Sequence, residues 1–145
     1  FFIGLFIVVK GVEANGLLSL AANKLAEATG GSLPKTGFAI LWASAILSAI
    51  VDNIPFVATM IPLIKNMAPA FGGPDAIQPL WWALSLGACL GGNGTLIGAS
   101  ANLTVAGLAE RNGVPFSFAK YTLYAFPMML VSVAISHLYI WWRYF

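Results

Sequence analysis

Long apolar runs, interrupted at a few polar points, organise this chain. Phe1 to Val9 is apolar throughout, and Lys10 and Glu13 end that character, which predicts the end of a spanning helix over residues 1–13. Residues 16–28 place Leu17, Leu18, Ala21, Leu25 and Ala28 near a helical period, the pattern of an amphipathic helix lying at a membrane interface. Thr29-Gly30-Gly31-Ser32-Leu33-Pro34 ends it, because paired glycines and proline punctuate helices.

Two later runs are too long to be single spans. Gly37 to Met67 would measure ~46 Å as one straight helix, against an apolar bilayer layer of ~30 Å. Asp52-Asn53-Ile54-Pro55 interrupts it. Pro55 lacks a backbone donor and pushes Ile54 away from helical geometry. The halves, ~22 Å and ~18 Å long, predict a re-entrant hairpin; one long kinked helix is the alternative. A loop over 68–79 follows, with Pro69, Gly72-Gly73-Pro74-Asp75 and Pro79. Leu80 to Ala109 is again over-long, at ~45 Å. It contains Gly91-Gly92-Asn93-Gly94-Thr95, and each helical glycine costs about 1 kcal/mol relative to alanine. The pattern predicts half-helices Leu80–Leu90 and Leu96–Ala109 joined by unwound chain near the membrane midplane. A polar turn, Glu110 to Pro115, precedes a last helix from about Phe118 to Trp142 with a kink at Pro127.

Composition names the solvent. The chain has 145 residues, 59% hydrophobic and 8% charged, whereas soluble domains carry about 25% charged residues. So few charges cannot cover a water-facing surface, so the fold class is an all-α membrane protein with broken transmembrane helices and a re-entrant helical hairpin. The sequence opens on Phe1 within an apolar run, with no basic leader or cleavage site, and reads as N-terminally truncated. Trp141-Trp142-Arg143-Tyr144-Phe145 fits an interfacial belt, as does Trp81-Trp82. The net charge of +2 is scattered, with no basic stripe for nucleic acid. Cys89 and His137 are the single cysteine and histidine, and no metal-ligand or nucleophile–base spacing accompanies them. An enzyme is therefore not expected, nor any cofactor beyond a bound Na⁺. His137 reads as structural or interfacial.

The chemistry concentrates at the two interruptions. Unwound chain at membrane depth must be buried in protein or line a polar cavity. Each break frees carbonyls at the end of one half-helix, suited to a cation, and amides at the start of the next, suited to an anion. Asp52 is the one carboxylate inside the central apolar segments, and such a group is a functional candidate by default. Asn53 and Asn93 can donate and accept. Thr59, Thr95, Ser100 and Asn102 add oxygens, and Ser100 shares a helix face with Thr104. Ile54, Pro55, Gly92 and Gly94 complete the candidate substrate- and ion-binding set, with a possible Na⁺ near Asp52, Asn53, Gly91 and Asn93. Glu13 ranks below Asp52. Ser44, Ser48, Ser85, Ser132 and Ser136 read as interhelical hydrogen-bonding groups, and Gly87, Gly98 and Gly107 as close-packing positions.

Ser48-Ala-Ile-Val-Asp-Asn-Ile-Pro-Phe-Val-Ala-Thr-Met-Ile-Pro62, followed by Leu80-Trp-Trp-Ala-Leu-Ser-Leu-Gly-Ala-Cys-Leu-Gly-Gly-Asn-Gly-Thr-Leu-Ile-Gly-Ala-Ser-Ala-Asn102, resembles the ion transporter superfamily. The likeness is to the branch of citrate-transporter-like permeases, arsenical pump membrane proteins and the P protein. It implies that residues 1–145 are the C-terminal portion of a citrate-transporter-like domain, within the second half of an inverted-repeat transporter. Related carriers have a Ser-Asn-Thr hairpin tip that binds a substrate carboxylate and Na⁺. The matching tip here is Asp52-Asn53-Ile54: Asn53 carries over, and Asp52 and Ile54 depart. The added negative charge disfavours a carboxylate there and favours a cation, a proton or a neutral species.

The resemblance further implies Na⁺- or H⁺-coupled secondary transport, symport or antiport, of a small ion such as arsenite, a carboxylate or Na⁺ itself. Its expected partners are the bilayer, the missing N-terminal repeat and a second copy in a homodimer that works by an elevator-like movement, as a multi-pass protein of a bacterial inner membrane or its equivalent. A passive anion channel is the alternative. With a re-entrant hairpin, Lys24, Lys35, Lys65 and Arg143 share one side, against Arg111 and Lys120. The positive-inside rule would make the first side cytoplasmic, whereas the relatives' topology would put the same C-terminus outside.

Overall fold

The computed structural model describes residues 2–145; the side chains of Phe2, Leu5, Phe6, Val9, Val12, Glu13 and Leu18, and with them the ranking of Glu13, lie outside the described residues. Seven α-helices follow in order: α1 Phe2–Ala14, α2 Leu17–Ala28, α3 Leu33–Ile50, α4 Asn53–Met67, α5 Gln78–Gly91, α6 Ser100–Arg111 and α7 Phe118–Tyr144. A short 3-10 turn, Ala68–Phe71, lies between α4 and α5. No strand occurs among the described residues, so the all-α expectation holds.

Local chemistry explains the first corner. Gly30 and Gly31 both take left-handed backbone, φ 63° and 65°, a conformation that costs glycine little. Pro34 sits in the first turn of α3, where its missing donor is no loss. The Thr29 and Thr36 hydroxyls meet at 2.6 Å across the corner. α2 packs against α4 through the buried Ala22, and the Asn66 amide donates to the Ser19 hydroxyl at 3.2 Å. Its other face, with Leu17 and Leu20, is exposed.

The centre of the fold is α3 against α5. A methyl added at Gly87 would overlap the carbonyl oxygen of Leu41, and one at Gly91 would overlap that of Ala45. Gly87 and Gly91 are four apart on one helical face, so α5 lays a side-chain-free strip along α3. Gly37 adjoins Leu80 at the start of both helices, and Ser48 adjoins Ala88 near their ends. The two helices are therefore parallel. Parallel neighbours need a return path, and α4 supplies it by running back to the start of α5, packed on both α2 and α5. This geometry makes α3 and α4 the arms of a helical hairpin. By length and composition alone, α3, α4 with its 3-10 turn, and α7 could each cross a membrane.

α7 runs antiparallel to α3 and passes the hairpin tip. Phe38 stacks on His137 with ring centroids 3.9 Å apart, Phe145 lies edge-on to Phe38 at 5.6 Å, and Gly94 meets Met129. The tip thus stands level with Met129. At 1.5 Å per residue this level is ~21 Å from Arg143 and ~14 Å from Lys120, inside the apolar layer. By the helix directions, Lys35, Lys65 and Arg143 stand at one end and Lys120 at the other. The Trp42 indole N–H donates to His137 Nδ1 at 3.2 Å, so His137 helps join α3 to α7, in line with its structural reading.

Several sequence expectations change. α3 begins at Leu33 rather than Gly37. Ile54 is helical, because Pro55 is the third residue of α4, where the amide it lacks would have had no helical partner. Gly91 closes α5 and the unwound chain is 92–99, longer than the glycine run. Gly107 meets nothing within 4 Å among the described residues, so close packing does not explain it. α6 buries no residue, and Leu103, Val105 and Leu108 stand exposed. Of the five serines read as interhelical groups, Ser48 alone bonds across helices among the described residues, donating to the Ala88 carbonyl at 2.7 Å. Ser132 and Ser136 donate to carbonyls of their own helix, and Ser85 is exposed. Buried Ser44 Oγ has no partner among the described residues.

Candidate functional site

The hairpin tip is two residues long. Val51 is extended (φ −116°, ψ 139°), and Asp52 follows as the N-cap of α4 (φ −48°, ψ 134°). A carboxylate oxygen of Asp52 accepts the Ile54 amide at 3.0 Å. A side-chain acceptor there answers an amide that the helix leaves unpaired, and its negative charge suits the positive end of α4. Asp52 is half-buried. The candidate ion-binding carboxylate is thus also a helix cap, a role the sequence reading passed over although Asp three residues before Pro is a readable start signal.

The second interruption lies against the tip. The Thr95 hydroxyl donates to the carbonyl of Ala49, at the end of α3, and accepts the Gly98 amide at 3.2 Å. A methyl on Gly98 would fall 2.6 Å from the Gly92 carbonyl and 2.9 Å from the Ser48 carbonyl. One on Gly92 would stand 3.5 Å from the Asn53 side-chain nitrogen. Glycine is required here by close approach, since none of Gly92, Gly94 and Gly98 has positive φ. Asn102, in the first turn of α6, donates both amide hydrogens back into the loop, to the Gly92 and Thr95 carbonyls, each at 2.9 Å. These bonds satisfy carbonyls that the missing helical turn would otherwise leave bare.

The structure therefore draws Asp52, Asn53, Gly92, Thr95, Gly98 and Asn102 into one neighbourhood. The rest are dispersed. Thr59 lies further along α4, its hydroxyl engaged by the Pro55 carbonyl at 2.9 Å. Ser100 is exposed at the start of α6, and its carbonyl accepts the Thr104 hydroxyl at 3.0 Å. Gly94 is buried with a methyl position 3.0 Å from Met129. Asn53 and Asn93 open on different sides. Asn53 and Ile54 line an open groove of about 360 Å³ along α4, with Val57, Ala58 and Ile61. Asn93 lines another of about 270 Å³ with Leu90, Met129 and Ser132. The Tyr121 hydroxyl donates to the Asn93 carbonyl at 3.3 Å; nothing in the sequence pattern singled out that tyrosine.

The arrangement sets fixed groups apart from free ones. Thr95 and Asn102 hold the unwound chain in shape. The second oxygen of Asp52, the Asn53 and Asn93 side chains and the side-chain oxygen of Asn102 have no partner among the described residues and can serve as ligands. Among those residues no three His, Cys, Asp or Glu side chains cluster as a metal site.

Residues 1–87 match the family described as Citrate transporter. An uncharacterized transporter of Mycobacterium tuberculosis is 45% identical over 145 residues, covering 100% of this chain and 34% of the relative. The P protein of Homo sapiens is 52% identical over 103 residues, 70% of this chain and 12% of that protein. An uncharacterized transporter of Synechocystis is 33% identical over 159 residues, 100% of this chain and 35% of the relative. The chain spans about a third of the length of the curated transporters it matches. No solved structure matches it.

Proposed function

Because the chain belongs to the citrate transporter family, we propose that the whole protein is a secondary active transporter, moving a small ion or anion with Na⁺ or H⁺. The observation that carries this reading is the contact between two helix interruptions at the depth of Met129. Paired broken helices at mid-membrane are how such carriers expose backbone and side-chain ligands to an ion without exposing them to lipid.

In this reading Asp52 binds the coupling cation or proton. Asn53 and Asn93 coordinate substrate, while Thr95 and Asn102 keep the unwound chain in a binding shape. The charge on Asp52 keeps substrate carboxylates away from the tip itself, so a citrate-like anion would contact the Asn93 side and a neutral metalloid acid could approach either. The rest of the protein supplies the remaining walls. It acts as a multi-pass protein of a bacterial inner membrane or its equivalent, as a homodimer with elevator-like movement.

The test uses the full-length protein in proteoliposomes, with labelled citrate and arsenite as probes and an imposed Na⁺ or pH gradient. Accumulation should require one of the gradients. Asp52→Asn should insert normally yet lose gradient-driven uptake at least tenfold, about 1.4 kcal/mol in the transport barrier. Asparagine caps a helix as well as aspartate does, so this change removes the charge and keeps the fold. Unchanged coupled uptake by the variant would remove Asp52 from the mechanism. Flux without any gradient dependence or saturation would establish the channel instead.

A further inference from the structure

The groove beneath Asn93 has a neighbour. Tyr121, Ala125 and Met128 line both it and an outer groove of about 330 Å³ completed by Phe116, Lys120 and Tyr124. The three shared residues lie on one face of α7, at spacings of four and three. Of these, Tyr121 alone ends in a polar group. Its ring is stacked by Phe116 from the outer side, centroids 6.1 Å apart and planes 20° from parallel. Its hydroxyl reaches the Asn93 carbonyl on the inner side.

We propose that Tyr121 is the gate of the transport site, latching the unwound segment to α7 and dividing an outer aromatic groove from the groove under Asn93. This rests on the transport reading above and adds the route by which the site is reached. The Asn93 carbonyl belongs to a stretch without helical partners, so it needs a donor. The donor it has is weakly placed. An O–H···O bond is usually 2.5–3.0 Å, and this one is 3.3 Å, whereas the two bonds from Asn102 in the same loop are 2.9 Å. Asn102 therefore holds the loop, and Tyr121 closes it. When the phenol swings away, the Asn93 carbonyl is freed for a cation or a substrate donor. The two grooves then become one path from the Lys120 end of α7 to the interruption.

The experiment is thiol modification of the full-length protein in membranes, with Cys89→Ser as background. Asn93→Cys reports on the inner groove and keeps the backbone carbonyl that Tyr121 bonds. Ser85→Cys, on the exposed side of α5, reports on general loosening. A membrane-impermeant methanethiosulfonate should modify residue 93 about fivefold faster when Tyr121→Phe is added, with residue 85 unchanged. Equal rates at residue 93 with and without the hydroxyl overturn the gate, as does equal acceleration at both reporters, which would mark a merely structural role. No modification of residue 93 in any variant overturns the gate and the aqueous site together. Faster modification at residue 93 alone, where the Cys89→Ser parent that keeps Asn93 shows no gradient-driven uptake, upholds the gate and overturns the transport reading.

Discussion

The two interruptions that meet in this protein are made by opposite means. Between α3 and α4 the chain leaves helical geometry for two residues, with no glycine, and re-enters under an aspartate cap. Between α5 and α6 it stays unwound over 92–99, and glycines there meet neighbouring backbone at distances no side chain would allow. The first is a local event that ends one helix and starts another. The second is a tertiary event: α5 presses onto α3, and the loop is folded by bonds from Thr95 and Asn102. A cap holds its ligand oxygens in place through sequence neighbours alone. The long loop depends on packing from α3, so its shape should be sensitive to anything that parts the two helices.

The strongest way to break that contrast is Gly91→Ala. The new methyl would meet Ala45 backbone, which cannot yield as a flexible side chain would. Overpacking of this kind costs about 3 kcal/mol. Thermal unfolding of the full-length protein in detergent, followed by size-exclusion, should show a marked loss of folded material, with uptake lost alongside. A smaller effect is expected from Thr95→Val, which keeps shape and removes the hydroxyl that donates to the Ala49 carbonyl, leaving that oxygen buried without its donor. The expected cost is about 1–3 kcal/mol, again read by thermal unfolding, and the loop rather than the hairpin should gain protease sensitivity.

At the tip the scale shrinks further. Asp52→Ala removes the cap and should cost about 1 kcal/mol, whereas Asp52→Asn should change stability by no more than a few tenths. A difference between these two in melting temperature, with loss of coupled uptake in both, would separate the cap from the charge. The smallest effect is expected at Ser44→Ala. Its hydroxyl is buried without a partner among the described residues, so removing it should be neutral or slightly stabilising and leave transport rates nearly unchanged. Clear destabilisation would reveal a partner supplied by the rest of the protein.

Much of this fold was legible beforehand because lipid makes a simple demand. Apolar runs too long for one span had to be interrupted, and Asp52 to Pro55 and the glycine run were the places where helix was weakest. The errors at these places have local causes. Pro55 was read as the breaker, yet in the first turn of α4 it breaks nothing, and the cap three residues earlier sets the boundary. Gly91 was read as helix-weakening, yet it lies inside α5, where its lack of side chain lets α3 approach, as does that of Gly87, which had been read as a close-packing position. Gly107 carries the same residue type with nothing near it.

By itself the sequence determined that this is an all-helical membrane protein, with two polar interruptions and one carboxylate at the first. Those are consequences of hydrophobic length, backbone hydrogen-bond demand and the cost of a buried charge, each readable along the chain. Only the tertiary structure decided that α3 and α5 run parallel, that the interruptions touch, that Asn102 holds the loop, and that Tyr121 reaches Asn93 from 28 positions away. Such pairings depend on which backbones can approach closely in space, and linear order does not encode distance across a packed interface.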